Sequence, residues 1–197
     1  MVAPMTRSRT PGKIDPRAKF AVEGVPLSYA SNGDSNGVFY YLGTNKNTQA
    51  FSNPATSGAV VMSASSSYPG SYLPSNLTDR ATTIFHSNSA ANSWWKVDLL
   101  TAQLRCNYYS LRSRSDEDTQ HLRSWKLRGS HDDSTWLDLD VQTNNTTLNS
   151  AGQWLSIPAT GSTQFFRYLQ IYMTGVNSSG GNFLVATEWE LYGTLKE

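Results

Sequence analysis

The chain has 197 residues and a formal net charge of +1, enough for one domain with a sizeable core and too few for two of ordinary size. Charged residues make up 16% and aromatics 12%, a composition weighted towards strands and turns, with Lys, Glu and Ala scarce outside the N-terminus. The near-neutral balance excludes a whole-domain field that would gather nucleic acid. One cysteine, Cys106, excludes an internal disulfide and a zinc site built from cysteine pairs.

The first residues, Met1–Arg9, are basic but have no apolar stretch behind them, so no secretion signal is read there. No run of about 18 apolar residues is present to span a membrane. A cytoplasmic location is therefore expected. Residues 1–35 show no hydrophobic period and hold Pro4, Pro11, Pro16 and Pro26. Arg7, Arg9, Lys13, Arg17 and Lys19 stand there against one acid, Asp15. With so little to bury, this stretch is expected to be an extended or disordered basic arm, and either a bare tail or a segment that orders against an acidic partner.

A domain is expected over residues 36–195. Val38–Leu42 is β-prone and closed by Gly43. Trp95–Leu99 and Trp125–Arg128 alternate apolar and polar side chains. Cys106 follows in an apolar-aromatic stretch and is expected to be a buried structural thiol. Leu137, Leu139 and Val141 are expected to share one face, with Asp138 and Asp140 on the other. Leu169, Ile171 and Met173 form another such set, and Glu188–Leu191 closes the series. Turn-forming clusters separate these runs at Tyr68–Gly70, His131–Ser134, Ala159–Ser162 and Asn177–Gly181. Many short strands at this spacing, with no convincing amphipathic helix, imply an all-β sandwich or barrel. Asn76, Asn144, Asn145 and Asn177 match the glycosylation triplet but are read as turn residues.

Catalytic patterns are missing. His86, His121 and His131 stand in no nucleophile elbow or zinc-protease motif, no glycine-rich phosphate loop occurs, and Asp116-Glu117-Asp118 reads as a solvated acidic loop.

The strands also carry a resemblance. Asn92-Ser93-Trp94-Trp95-Lys96-Val97-Asp98-Leu99, Asn107–Arg112, Leu122–Ser130, Asp132–Trp136, Phe166–Ile171 and Glu188–Gly193 occur in the order found in discoidin, or coagulation-factor C-type, domains of the galactose-binding-like superfamily. The chain is most similar to intracellular copies in BTB-domain proteins and HECT-type ubiquitin ligases. The resemblance implies an eight-stranded jelly roll that binds ligand through loops at one end and does not catalyse. It places Trp95, Trp125, Trp136 and Trp189 in the core and leaves Trp94 and Trp154 open.

For the binding loops, the resemblance matches His86, after Ile84-Phe85, and Arg112, after Leu111, to the positions that grip sugar in lectin-like relatives; nearby Arg114 joins them as a candidate. The alternative is that His86 is an ordinary turn residue and Arg112 pairs with Asp116 or Asp118. Ser65–Leu73 carries Tyr68 and Tyr72, side chains with large contact area and low entropy cost, which suit a protein interface. The resemblance further implies a structural calcium held by Asp79, Thr83 and Glu188. Arg80 stands where relatives often have glycine, and the alternative is that its charge replaces the ion by pairing with a carboxylate. The reading reached is a non-catalytic docking module without cofactor, recruiting a protein partner in an intracellular assembly of ubiquitin-ligase or cytoskeletal type; the alternative is a carbohydrate-binding module.

Overall fold

A computed structural model describes residues 24–161 and 163–197. Its elements run β1 (Val25–Leu27), α1 (Val38–Gly43), β2 (Val61–Ala64), a 3₁₀ turn (Pro74–Thr78), β3 (Phe85–His86), β4 (Trp94–Asp98), β5 (Gln103–Arg112), β6 (Trp125–Ser130), β7 (Leu137–Gln142), β8 (Trp154–Pro158), β9 (Tyr168–Met173), β10 (Val185–Ala186) and β11 (Glu188–Lys196). Two antiparallel sheets form the sandwich, one of four strands in the order β1-β11-β5-β8 and one of five in the order β2-β4-β9-β6-β7. A two-stranded ribbon joins β10 to β3. The main sheets thus hold one strand more than the eight expected, with short β1 and β2 added at edges.

Inward residues of both sheets make one core. Trp95 of β4 meets Trp189 of β11 edge-on, with ring centroids 6.2 Å apart, and Phe85 packs on Trp95 at 5.7 Å. Trp125 Nε1 donates to Tyr109 Oη at 2.9 Å, and that hydroxyl donates to Asp140 at 2.7 Å, so a polar chain crosses the core without an unmet partner. Cys106 is fully buried, and burial pushes its thiol up to about 12.

Four expectations need correction. The sandwich begins before residue 36, because β1 pairs with β11. Pro26 is tolerated there since β1 is an edge strand. Residues that follow lie over the outer face of the four-stranded sheet, where Tyr29 stacks on Tyr108 at 4.4 Å and meets Tyr192 edge-on at 5.4 Å. Residues 1–23, with Arg7, Arg9, Lys13, Arg17 and Lys19, lie outside the described residues.

The β-prone run Val38–Leu42 is helical. Glu190, on β11, accepts from the amides of Phe39 (2.9 Å) and Tyr40 (3.3 Å) and so caps the helix from far along the chain. Val38 and Phe39 are buried, Phe39 against Trp189 at 5.5 Å. A long-range contact here overrides local propensity.

On β7 the alternation breaks at a bulge, since Leu127 pairs with Asp140 but Arg128 pairs with Asp138. Leu139 is buried, Asp140 turns in to Tyr109, and Val141 turns out beside Lys126 at 52% exposure. Trp136 is half-buried at the surface rather than in the core, with Arg128 over its ring.

Candidate functional site

Three loops meet beside β3 at the end of the sandwich where β5 finishes. Tyr68 N donates to His86 O at 2.7 Å, which fixes the Ser65–Leu73 loop beside β3. Asn76 donates through Nδ2 to Ser71 O (2.7 Å) and Ile84 O (2.9 Å), closing the base of that loop. In the last loop, Asn177 donates to Phe183 O at 3.0 Å and accepts from the amides of Ser179 and Gly181. Both asparagine amides are engaged in holding turns, in line with their reading as turn residues. The loops are then tied together: Gln120 N donates to Ser179 Oγ and His121 N to Ser178 Oγ.

These ties assemble an aromatic group. His86 lies 5.1 Å from Tyr68, 5.6 Å from Tyr72 and 5.0 Å from Phe183, centroid to centroid. Its Nδ1 lies 2.7 Å from Ser87 O and its Nε2 3.2 Å from Gln120 Oε1. The same Gln120 oxygen accepts from Arg114 Nη1 at 2.6 Å. Arg114, buried, donates through Nε (2.7 Å) and Nη2 (2.8 Å) to the two oxygens of Asp116. That bidentate pair holds the Asp116 carboxyl below the ordinary carboxylate range. The polar tips of His86 and Arg114 therefore face protein groups. What reaches outward is Tyr68 at 46% exposure and Leu73 at 51%, with Tyr72 and Phe183 half-buried beside them.

Tyr68, Tyr72, His86 and Arg114 are thus brought together, whereas Arg112 is not. Arg112 donates to Gly152 O and Glu188 Oε1, both at 3.0 Å, and packs over Trp154. It pairs with neither Asp116 nor Asp118; Arg114 takes Asp116 instead. Phe183 and Gln120 escaped the sequence reading, because each sits in a loop with no period to mark it.

The expected calcium ligands are engaged by protein groups. Glu188 is held by Arg112, and the Thr83 hydroxyl bonds to Asp79, whose other oxygen accepts from Ala81 N at 2.8 Å. Arg80 adopts φ +59°, a left-handed conformation in which glycine is at ease. From there it donates to the carbonyls of Gly33 (2.8 Å) and Asp34 (2.9 Å) and lies over the rings of Tyr40 (4.9 Å) and Phe51 (5.9 Å). Carbonyl oxygens, which a hard cation would need, are thereby met by a guanidinium. Its direct acceptors are carbonyls rather than a carboxylate, although Glu188 and Glu190 line the same small cavity. Among the described residues no group of three or more His, Cys, Asp or Glu could hold a metal.

Residues 61–188 match the F5/8 type C domain, well over half of the chain. The chain belongs to that family. Within the F5/8 type C family, it is 35% identical over 185 residues to a BTB/POZ domain-containing protein from Arabidopsis thaliana, covering 86% of this chain and 22% of the relative. It is 30% identical over 179 residues to the E3 ubiquitin-protein ligase hecd-1 from Caenorhabditis elegans, covering 88% of this chain and 7% of that protein. The chain thus spans less than a quarter of either relative. Among solved structures, it resembles a CBM32 module from a family 31 glycoside hydrolase of Clostridium perfringens, with TM-score 0.57 and 20% identity over 70% of this chain and 93% of that one. A fucolectin from striped bass gives TM-score 0.55 at 18% identity, over 71% and 47% of the two chains. At such identities these likenesses establish the jelly-roll sandwich and nothing of the ligand. An F5/8 type C domain is a binding module, and no helix among the described residues is long and apolar enough to cross a membrane.

Proposed function

We propose that this domain is a non-catalytic docking module whose loop end takes a protein partner in an intracellular assembly. One observation carries the reading: of the two groups matched to sugar-gripping positions, Arg112 is held by Glu188 and the Gly152 carbonyl and His86 lies against Ser87 O and Gln120, while Tyr68 and Leu73 stand exposed. Polar tips turned towards protein groups behind an exposed apolar surface suit contact with a protein better than readout of hydroxyls. The names of the relatives, a BTB/POZ protein and an E3 ubiquitin ligase, support partner recognition in a ubiquitin-ligase setting; the cytoskeletal version draws no support from them. The basic residues Arg7, Arg9, Lys13, Arg17 and Lys19 are proposed to add an electrostatic contact with an acidic partner.

A carbohydrate ligand is the second reading, favoured by the groove beside the ring of Tyr72, lined by Asn76, Thr82, Thr83 and Ile84. A glycan array with a galactose titration separates the two. Blank results are expected. Saturable sugar binding that is lost in Arg112→Ala would replace protein docking with the lectin reading.

A further inference from the structure

The two sheets differ on their outer faces. Residues after β1 lie over the four-stranded sheet, through the Tyr29 stack on Tyr108 and the bond from Ser156 Oγ to Asn32. The five-stranded sheet instead turns out Trp94, Lys96, Tyr168, Tyr172, Lys126 and Arg128, all half-exposed. Register sets them in rows: Trp94, Tyr172, Lys126 and Val141 lie side by side across β4, β9, β6 and β7, and Lys96, Gln170, Arg128 and Asp138 form the next row. Three strand spacings give each row a width of about 14 Å.

Charge on this face is nearly matched. Lys96 pairs with Asp133, Lys126 with Asp138 at 2.6 Å, and Arg167 with Asp98 at 2.6 Å. Arg128 is different. Although Asp138 stands opposite it in register, that carboxylate is held by Lys126, and Arg128 forms no ion pair among the described residues. Its Nε and Nη2 both donate to the one amide oxygen of Gln170, the first at 3.0 Å. Its guanidinium lies 3.8 Å from the ring centre of Tyr172 and 5.4 Å from that of Trp136. Partial burial works against the charge, which lowers its pKa. A planar cation fixed between two rings, partly dehydrated and with donors left over, is suited to a carboxylate.

We propose that the outer face of the five-stranded sheet is a second docking surface, on which Arg128 receives a carboxylate from an acidic segment of a protein partner. The segment lies across the rows, with Trp94, Tyr168, Tyr172 and Trp136 supplying contact area around the ion pair. This surface is separate from the loop end, so the two readings stand or fall independently.

The test is amide chemical-shift mapping of the full chain with a capped tetraglutamate peptide, and tetraglutamine as the neutral control. Shifts are expected in β4, β6 and β9 with the acidic peptide alone, and raising salt from about 50 to about 500 mM should weaken them severalfold. Arg128→Gln should abolish the shifts, and Arg128→Lys should leave weaker ones, since it keeps the charge and loses the fork. Tyr68→Ala with Tyr72→Ala should leave them unchanged. Absence of shifts, shifts confined to the loop end, equal shifts with tetraglutamine, or unaltered binding in a folded Arg128→Lys would each overturn the proposal.

Discussion

Glu190 shows how much one side chain decides here. It is a fully buried carboxylate that accepts from Phe39, Tyr40 and Leu191 amides, yet burial outweighs those bonds and raises it from 4.5 to about 7. A folded pKa above the unfolded one favours folding while the proton is held. Its contribution is full below pH 4.5 and is lost as pH rises to about 7. Glu190→Gln should remove this dependence. Relative to the variant, the native chain should lose roughly 3 kcal/mol between those limits, read from urea melts at each pH. Equal slopes for both proteins would contradict it. Arg80 makes a second case at this scale. Arg80→Gly suits the backbone conformation but removes the donors to Gly33 and Asp34, so a lower melting temperature is expected. Chelator should leave the native melting curve in place, because Arg80 already donates to the carbonyls of Gly33 and Asp34 and only an ion that binds the folded state would add stability to be withdrawn. A rise with added calcium that disappears in Asp79→Ala would show that the ion site survives beside Arg80.

At the scale of elements, what could be read from sequence was what period-two alternation encodes. Trp95–Leu99, Trp125–Arg128 and Leu169–Met173 each bury alternate residues against the opposite sheet, and all three are strands. Helix α1 was not legible, because its stabilising cap is Glu190, about 150 residues away. Nor was the β7 bulge, since the polar residue inside, Asp140, is there to meet Tyr109. Of the site, Tyr68, Tyr72 and His86 were found through their loop and the family resemblance. Gln120 and Phe183 were missed because only tertiary ties bring their loops in. Gly37 tests the account of α1: a Cβ there would stand 2.2 Å from the Glu190 carboxyl carbon. Gly37→Ala should cost about 1–3 kcal/mol, and should lose most of that cost when combined with Glu190→Ala. An undiminished cost in the double variant would show that Glu190 is not what α1 closes upon.

For the molecule as a whole, the fold places two different surfaces on one sandwich, an aromatic loop end and a sheet face centred on Arg128. Residues 1–20 are expected to add only charge. Their removal should leave the melting temperature unchanged, since they offer few apolar residues to bury, and should reduce capture of an acidic partner in a salt-dependent way. Unchanged capture would make this segment passive. The central claim is that the loop end docks protein. Its most direct measurement is crosslinked affinity capture from the native cell with the intact chain and with Tyr68→Ala/Tyr72→Ala. Partner recovery should fall by about tenfold or more, with the melting curve nearly unchanged, because aromatic interface anchors carry a large share of such binding. Full recovery by a folded double variant would contradict the claim.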